Sequence, residues 1–282
     1  MKLPAAIRSA SHPLARLVRK LQKSAAHRRE EGLFLVEGPR GVEEAIEAGA
    51  ALDWVMVGDA GTKVARYENL LEIAHARGVP VQPVEEKLLQ RLSPTEHGTG
   101  LLGACRLPPS ADDPSMLLEC EQAGVLVVIW QMQVPGNTGT VIRSAAAFGG
   151  GGVIVAGGAD PWNAKAVRAS AGAIHRLRVS RTAADADFLA RISQSSRRPA
   201  VAATRGGIPP HEVDWSLPFF LIIGSEVRGT SDLSLTDAIE ITIPTSDTVE
   251  SLSAPSAAAI LLSHAWHDRR GRAANLPDEK RP

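Results

Sequence analysis

Residues 125–149, VLVVIWQMQVPGNTGTVIRSAAAFG, decide the reading of this chain. Val125–Trp130 is an unbroken apolar run, the mark of a parallel strand buried on both faces, where polar alternation is lost. Thr138 to Phe148 has helical character, and Gly149–Gly152 reads as a tight turn. The order is strand, loop, helix. It places Asn137 at the end of the loop as a helix N-cap candidate, with Arg143 one and a half turns further on. Four more strand candidates follow, at Val153–Ala156, Pro199–Ala203, Phe219–Ile223 and Ile239–Ile243, and a last helix runs from about Ala254 to Asp268. Strands alternating with helices predict an α/β domain with a parallel sheet covered on both faces. Ligand sites in such sheets lie beyond the carboxyl ends of the strands.

Upstream of this domain the pattern is also α/β but smaller. Leu33–Val36, Trp54–Val57 and Val79–Val84 read as strands. Pro39–Ala48 and Asn69–Arg77 read as helices stopped by Gly49 and Gly78. Residues 32–106 form one module. Residues 1–31 form a basic helical arm in which Leu14, Leu17, Val18 and Leu21 recur at helical spacing. Residues 107–124, with three prolines and several acids, read as the linker. The second domain occupies 125–270 and a polar tail 271–282. At 282 residues, two domains are the expected number.

Equal numbers of basic and acidic residues, 31 each, hide an uneven distribution. Residues 2–29 carry Lys2, Arg8, Arg16, Arg19, Lys20, Lys23, Arg28 and Arg29 and no acid. A second basic group is Lys165, Arg168, Arg176, Arg178 and Arg181. Phosphate neutralisation depends on local patches, so both are candidate nucleic-acid surfaces; solvated helical faces are the other reading. With aromatics at 4%, a stacking platform for single strands is disfavoured and reading of RNA shape and backbone is favoured. Cys105 and Cys120 have no metal-ligand spacing and no disulfide framework, so no metal is expected. The start of the chain lacks an apolar signal core, no run is long enough to span a membrane, and a cytoplasmic location is expected.

Three segments fall in order near strand ends: Pro135–Gly149, then Gly224-Ser225-Glu226-Val227-Arg228-Gly229, then Ile243-Pro244 with Glu250-Ser251-Leu252-Ser253. Together they resemble the three motifs of the SpoU/TrmH class of SPOUT RNA methyltransferases. The resemblance is close from Val125 to Trp266 and looser to Arg106. It implies transfer of a methyl group from S-adenosyl-L-methionine to a ribose 2′-hydroxyl of structured RNA, with ribosomal RNA favoured over transfer RNA. It also implies a trefoil knot in the C-terminal domain, a small N-terminal α/β RNA-binding domain, and a homodimer with the cofactor site at its interface. Leu261, Leu262, Ala265 and Trp266 offer apolar surface for that interface, or equally for the core.

By the same resemblance, Arg143, Asn137, Glu226 and Ser251 are catalytic. Thr204, Gly224, Glu226, Ile243, Pro244, Leu252 and Ser253 hold the cofactor. Arg40, Lys165 and Arg168 face RNA. A neutral Arg143 acting as base would cost about 7 kcal/mol at neutral pH. An orienting cation on phosphate and developing alkoxide is the better role. The third motif departs from the family at Ser253, where the pattern has Asn. Ser caps a helix as well as Asn does but lacks the two amide donors. A binding protein with weakened catalysis on the same scaffold is the alternative this opens. A nicotinamide dehydrogenase is disfavoured, because no GxGxxG follows the first strand of the domain.

Overall fold

The structure is a computed structural model that describes residues 3–59, 65–93, 100–119, 124–225, 229–230, 233 and 235–274. In chain order its elements are α1 (Pro13–Lys23), α2 (Ala25–Glu31), β1 (Leu33–Glu37), α3 (Gly38–Glu47), β2 (Leu52–Gly58), α4 (Ala65–Ala76), β3 (Val81–Val84), α5 (Glu86–Leu92) and β4 (Leu101–Arg106). They continue with α6 (Ser115–Leu118), β5 (Val125–Trp130), α7 (Pro135–Ala147), β6 (Gly152–Ala156), α8 (Ala164–Ala169) and α9 (Ala173–Arg176). The last are β7 (Val179–Thr182), α10 (Ala186–Gln194), β8 (Arg198–Ala203), β9 (Phe219–Ile223), β10 (Ile239–Thr242) and α11 (Ala254–Ala274). The chain divides into two units, residues 1–108 with 162–176, and residues 109–161 with 177–282.

The first unit is built on a mixed sheet of order β1-β4-β2-β3, antiparallel except for the β2–β3 pair. One face is covered by α1 and α5. Ala15, Val18 and Leu21 of α1 and Leu88, Leu89 and Leu92 of α5 are buried with Leu33, Leu35, Trp54, Met56 and Leu102. Burial of a large aliphatic side chain stabilises by roughly 1.5–3 kcal/mol, so α1 is anchored by its apolar stripe. Arg28 of the basic stretch is not an outward charge. It is 3% exposed and donates to the Leu21 carbonyl, while Lys20 pairs with Glu31. The sequence reading found neither α5 nor β4.

Residues 162–176 belong to this unit although they follow the first motif in sequence. Asn163 caps α8, accepting from the Lys165 N–H at 2.9 Å, and α8 packs on β1. His175 stacks on Phe34 with ring centroids 5.8 Å apart. Arg176 donates to Glu44 at 2.9 Å and Glu47 at 3.2 Å. Arg176 of the second basic group is therefore spoken for by carboxylates.

The second unit carries six parallel strands in the order β10-β8-β9-β5-β6-β7. Side chains alternate between its faces. Leu126, Val128, Trp130, Ile154, Phe220 and Ile222 meet Leu117 and, from α10, Phe188 and Ile192. α7 and α11 pack against each other and on the same sheet. Val141, Ile142 and Ala145 of α7 and Ala258, Leu261, Leu262 and Ala265 of α11 are all at most 2% exposed. Of the apolar stripe of the last helix, Leu261, Leu262 and Ala265 are thus core within one chain, and Trp266 is half-buried. One strand more is present than the sequence reading gave. Val179–Thr182 holds two polar residues and an arginine, so it lacks the apolar run that marks its neighbours. The stretch before β5 is also not purely linker, since α6 lies in it, and α11 runs to Ala274 rather than Asp268.

Candidate cofactor and active site

Motif one sits where β5 hands the chain to α7. The helix begins at Pro135, with Val134 as its cap. Pro is favoured there because its missing N–H would be unsatisfied anyway. Asn137 is therefore the third helical residue and not the N-cap expected from the sequence. Its N–H donates to the Val134 carbonyl at 3.0 Å. Arg143 stands one and a half turns on, exposed, with no hydrogen bond or ion pair among the described residues. Its neighbours Val141, Ile142 and Ala145 are buried, so packing fixes the helix face that presents the guanidinium.

The loop leading to α7 is held by contacts that sequence reading missed. Gln131 has φ +52, in the left-handed region that costs a non-glycine residue energy. Its N–H donates to Ala156 at 2.8 Å, and Ala159 donates to the Met132 carbonyl at 2.7 Å. Gly158 lies so close that an added Cβ would stand 2.2 Å from that carbonyl oxygen. A glycine pair after an apolar strand, Gly157-Gly158, was the signal available in the sequence.

Motifs two and three meet at the carboxyl ends of β8, β9 and β10. A cavity of about 530 Å3 opens there, lined by Thr204 and Arg205 after β8, Ile223–Ser225 and Gly229 after β9, and Ile243, Thr245 and Glu250–Leu252 after β10. Ala254, Ala257 and Leu261 of α11 close one side. The site lies along three neighbouring strands rather than at the β9–β5 junction, where the order of strands reverses. Gly224 is required by space. A Cβ there would lie 2.1 Å from the Gly229 carbonyl oxygen, because Ser225 and Gly229 close a turn with a 2.9 Å hydrogen bond.

Of the residues expected at the site, the cavity brings together Thr204, Gly224, Ile243, Ser251 and Leu252. Pro244 and Ser253 flank it without lining it, and both are exposed. Asn137 and Arg143 are not on its wall. Glu226 lies outside the described residues. Ser253 caps α11: its Oγ accepts from the Ser256 N–H at 3.3 Å and lies 2.8 Å from the Ser256 hydroxyl. In the first unit Arg40, Lys165 and Arg168 are all exposed. Among the described residues, no group of three His, Cys, Asp or Glu side chains is placed to hold a metal. No helix among them is long and apolar enough to cross a membrane.

The cavity fits S-adenosylmethionine in size and chemistry. Its volume lies within the about 300–1,000 Å3 usual for such ligands. Its wall offers aliphatic side chains for a purine and polar side chains at the rim.

Comparison with known proteins agrees. The SpoU rRNA Methylase family matches residues 124–263, and the MRM3-like substrate binding domain matches residues 13–103. An uncharacterized tRNA/rRNA methyltransferase of Mycolicibacterium smegmatis is 30% identical over 92% of this chain and 85% of its own length. The 23S rRNA guanosine 2′-O-methyltransferase RlmP of Bacillus subtilis is 28% identical over 84% of this chain and 90% of its own. Among solved structures, an RNA 2′-O ribose methyltransferase superposes with TM-score 0.74 at 26% identity, covering 94% of this chain and all of the other. AviRb of Streptomyces viridochromogenes in complex with AdoMet shares the fold, with TM-score 0.78 at 24% identity over 90% of this chain and 97% of its own. The chain belongs to the SpoU rRNA methylase family and carries an N-terminal substrate-binding domain.

Proposed function

We propose that this chain methylates a ribose 2′-hydroxyl in structured RNA, ribosomal RNA being the favoured substrate, with S-adenosylmethionine as donor. The observation that carries the reading is the cavity at the ends of β8, β9 and β10, which gathers residues of two separate motifs around Gly224. The family match and the kinship to RlmP support the chemistry and the choice of RNA.

The cofactor supplies an electrophilic methyl on a sulfonium. Gly224, Ile243 and Leu252 hold it through backbone groups and aliphatic contact, with Thr204 and Ser251 at the polar edge. Arg143 binds a phosphate of the substrate and stabilises charge developing on the 2′-oxygen, since a free guanidinium donates in a fixed fork. The hydroxyl proton leaves to water or to a phosphate oxygen. Arg40, Lys165 and Arg168 engage RNA through its backbone charge.

A homodimer completes this site. Every residue from Pro244 to Ser253 is exposed in the single chain, including Val249 at 49% and Leu252 at 36%. The exposed apolar side chains of Val249 and Leu252, in a loop that holds the cofactor, favour a second copy over it. Light scattering combined with sedimentation tests this, a monomer at micromolar concentration being the contrary result. Methyl transfer to RNA, read as alkali-resistant ribose methylation, tests the activity itself.

Ser253 in place of Asn favours a second reading, in which the chain binds RNA and cofactor with weakened transfer. Turnover that rises sharply in Ser253→Asn from a near-absent wild-type level would favour it.

A further inference from the structure

The cavity also carries two charged side chains that none of the assigned roles uses. Arg205 follows Thr204 at the end of β8, and Glu250 precedes Ser251 in the exposed loop before α11. They are the only charged groups among the described residues lining the cavity. Neither makes a hydrogen bond or ion pair among the described residues, with each other or with any other group. Both are exposed, so they stand at the rim. The interior is lined by Ile223, Ile241 and Leu261.

S-adenosylmethionine has matching parts. Adenine and ribose are uncharged, and the α-carboxylate is its one anion. The α-ammonium and the sulfonium are its cations. An apolar interior with a wet rim orders these parts, the purine inward and the zwitterionic amino-acid end outward. A guanidinium at the rim then has one anionic partner on the cofactor, the carboxylate, and can meet it with two parallel N–H donors. A lone carboxylate at the same rim complements the ammonium.

We propose that Arg205 and Glu250 together recognise the amino-acid end of the cofactor, Arg205 donating to its carboxylate and Glu250 accepting from its ammonium. This rests on the reading of the cavity as the S-adenosylmethionine site. It makes the two residues specificity determinants, separating the intact cofactor and its demethylated product from adenosine fragments.

The test is calorimetric binding of two probes to the full chain. S-adenosylhomocysteine keeps the amino-acid end, and 5′-methylthioadenosine lacks it while keeping adenine, ribose and sulfur. Arg205→Ala and Glu250→Gln are each expected to weaken S-adenosylhomocysteine about tenfold or more and to leave methylthioadenosine within about twofold. Arg205→Lys, which keeps charge without the fork, is expected to fall between wild type and Arg205→Ala. Equal losses for both probes in Arg205→Ala, or no loss for either, would overturn the assignment. Equal losses in Glu250→Gln would place that carboxylate on the ribose diol and overturn its half. Wild-type protein that binds neither probe would overturn the cofactor reading of the cavity itself, and the assignment with it.

Discussion

Replacing Gly224 by alanine is the sharpest single perturbation of the cofactor cavity. Its added methyl would lie 2.1 Å from the Gly229 carbonyl oxygen, 2.3 Å from the Gly229 carbonyl carbon and 2.8 Å from Thr230 Cγ2. Ordinary van der Waals contact begins near 3.4 Å, so the turn closed by Ser225 and Gly229 must open by more than an ångström. Two of the three obstacles are backbone atoms, which cannot swing aside as a flexible side chain would. Forced overpacking of this kind costs about 1–3 kcal/mol, or roughly 4–8 °C of melting temperature at about 2 kcal/mol for a unit of this size. The displaced turn is cavity wall, so cofactor affinity falls as well. Differential scanning calorimetry and titration with S-adenosylhomocysteine read the two effects separately. Gly271→Ala is the control, because nothing lies within 4 Å of its Cβ position in the last turn of α11. It is expected to be neutral or to stabilise by less than about 0.5–1 kcal/mol, the gain helix propensity gives in a helix interior. A Gly224→Ala protein with wild-type melting and wild-type affinity would refute the reasoning.

Three further expectations follow from the geometry. Arg143→Ala should lower methyl transfer about 10²–10³-fold, with cofactor affinity unchanged, since the side chain is exposed and off the cavity wall; near-full activity in Arg143→Lys would contradict a fork-specific role. Ser253→Ala should cost about 1 kcal/mol through loss of the α11 cap, while Ser253→Asn keeps the cap, a contrast that thermal melts report. His175 is pushed down to about 4, first by burial and also by Arg176, against the opposing pull of Glu44. An unfolded histidine titrates near 6.5, so between those values the unfolded chain binds the extra proton. Stability is complete above about pH 6.5 and is lost as pH falls toward 4, by at most about 1.4 kcal/mol per pH unit. Denaturant melts of His175→Phe should show a flatter pH dependence than wild type; an unchanged slope would contradict it.

The parallel sheet was legible because its strands are buried on both faces and must be apolar throughout, as Val125–Trp130 and Phe219–Ile223 are. β7 was not legible, because at the end of the sheet Ser180 and Arg181 replace that run. In the first unit, β4 follows a stretch of mixed polarity and α5 has only seven residues, too few to declare a period. The cofactor cavity could be anticipated from the glycines and strand ends of motifs two and three. Asn137 was misplaced by three positions, since Val134 is the cap and Pro135 rather than Thr138 opens the helix. Nor could periodicity foretell that residues 162–176 join the first unit, because that depends on partners more than a hundred residues away, Phe34, Glu44 and Glu47. Arg205 belongs to no motif, and Glu250, though it opens the Ser251-Leu252-Ser253 stretch of motif three, was given no role there; the two stand out only once three strand ends are brought around one cavity.

The most direct test of the central claim is transfer of labelled methyl from S-adenosylmethionine to deproteinised RNA and to ribosomal particles. Wild type is measured beside Arg143→Ala. Alkali-resistant ribose methylation in ribosomal RNA, lost in Arg143→Ala, is the predicted result. Label absent from both kinds of substrate, or present equally with Arg143→Ala, would contradict the account.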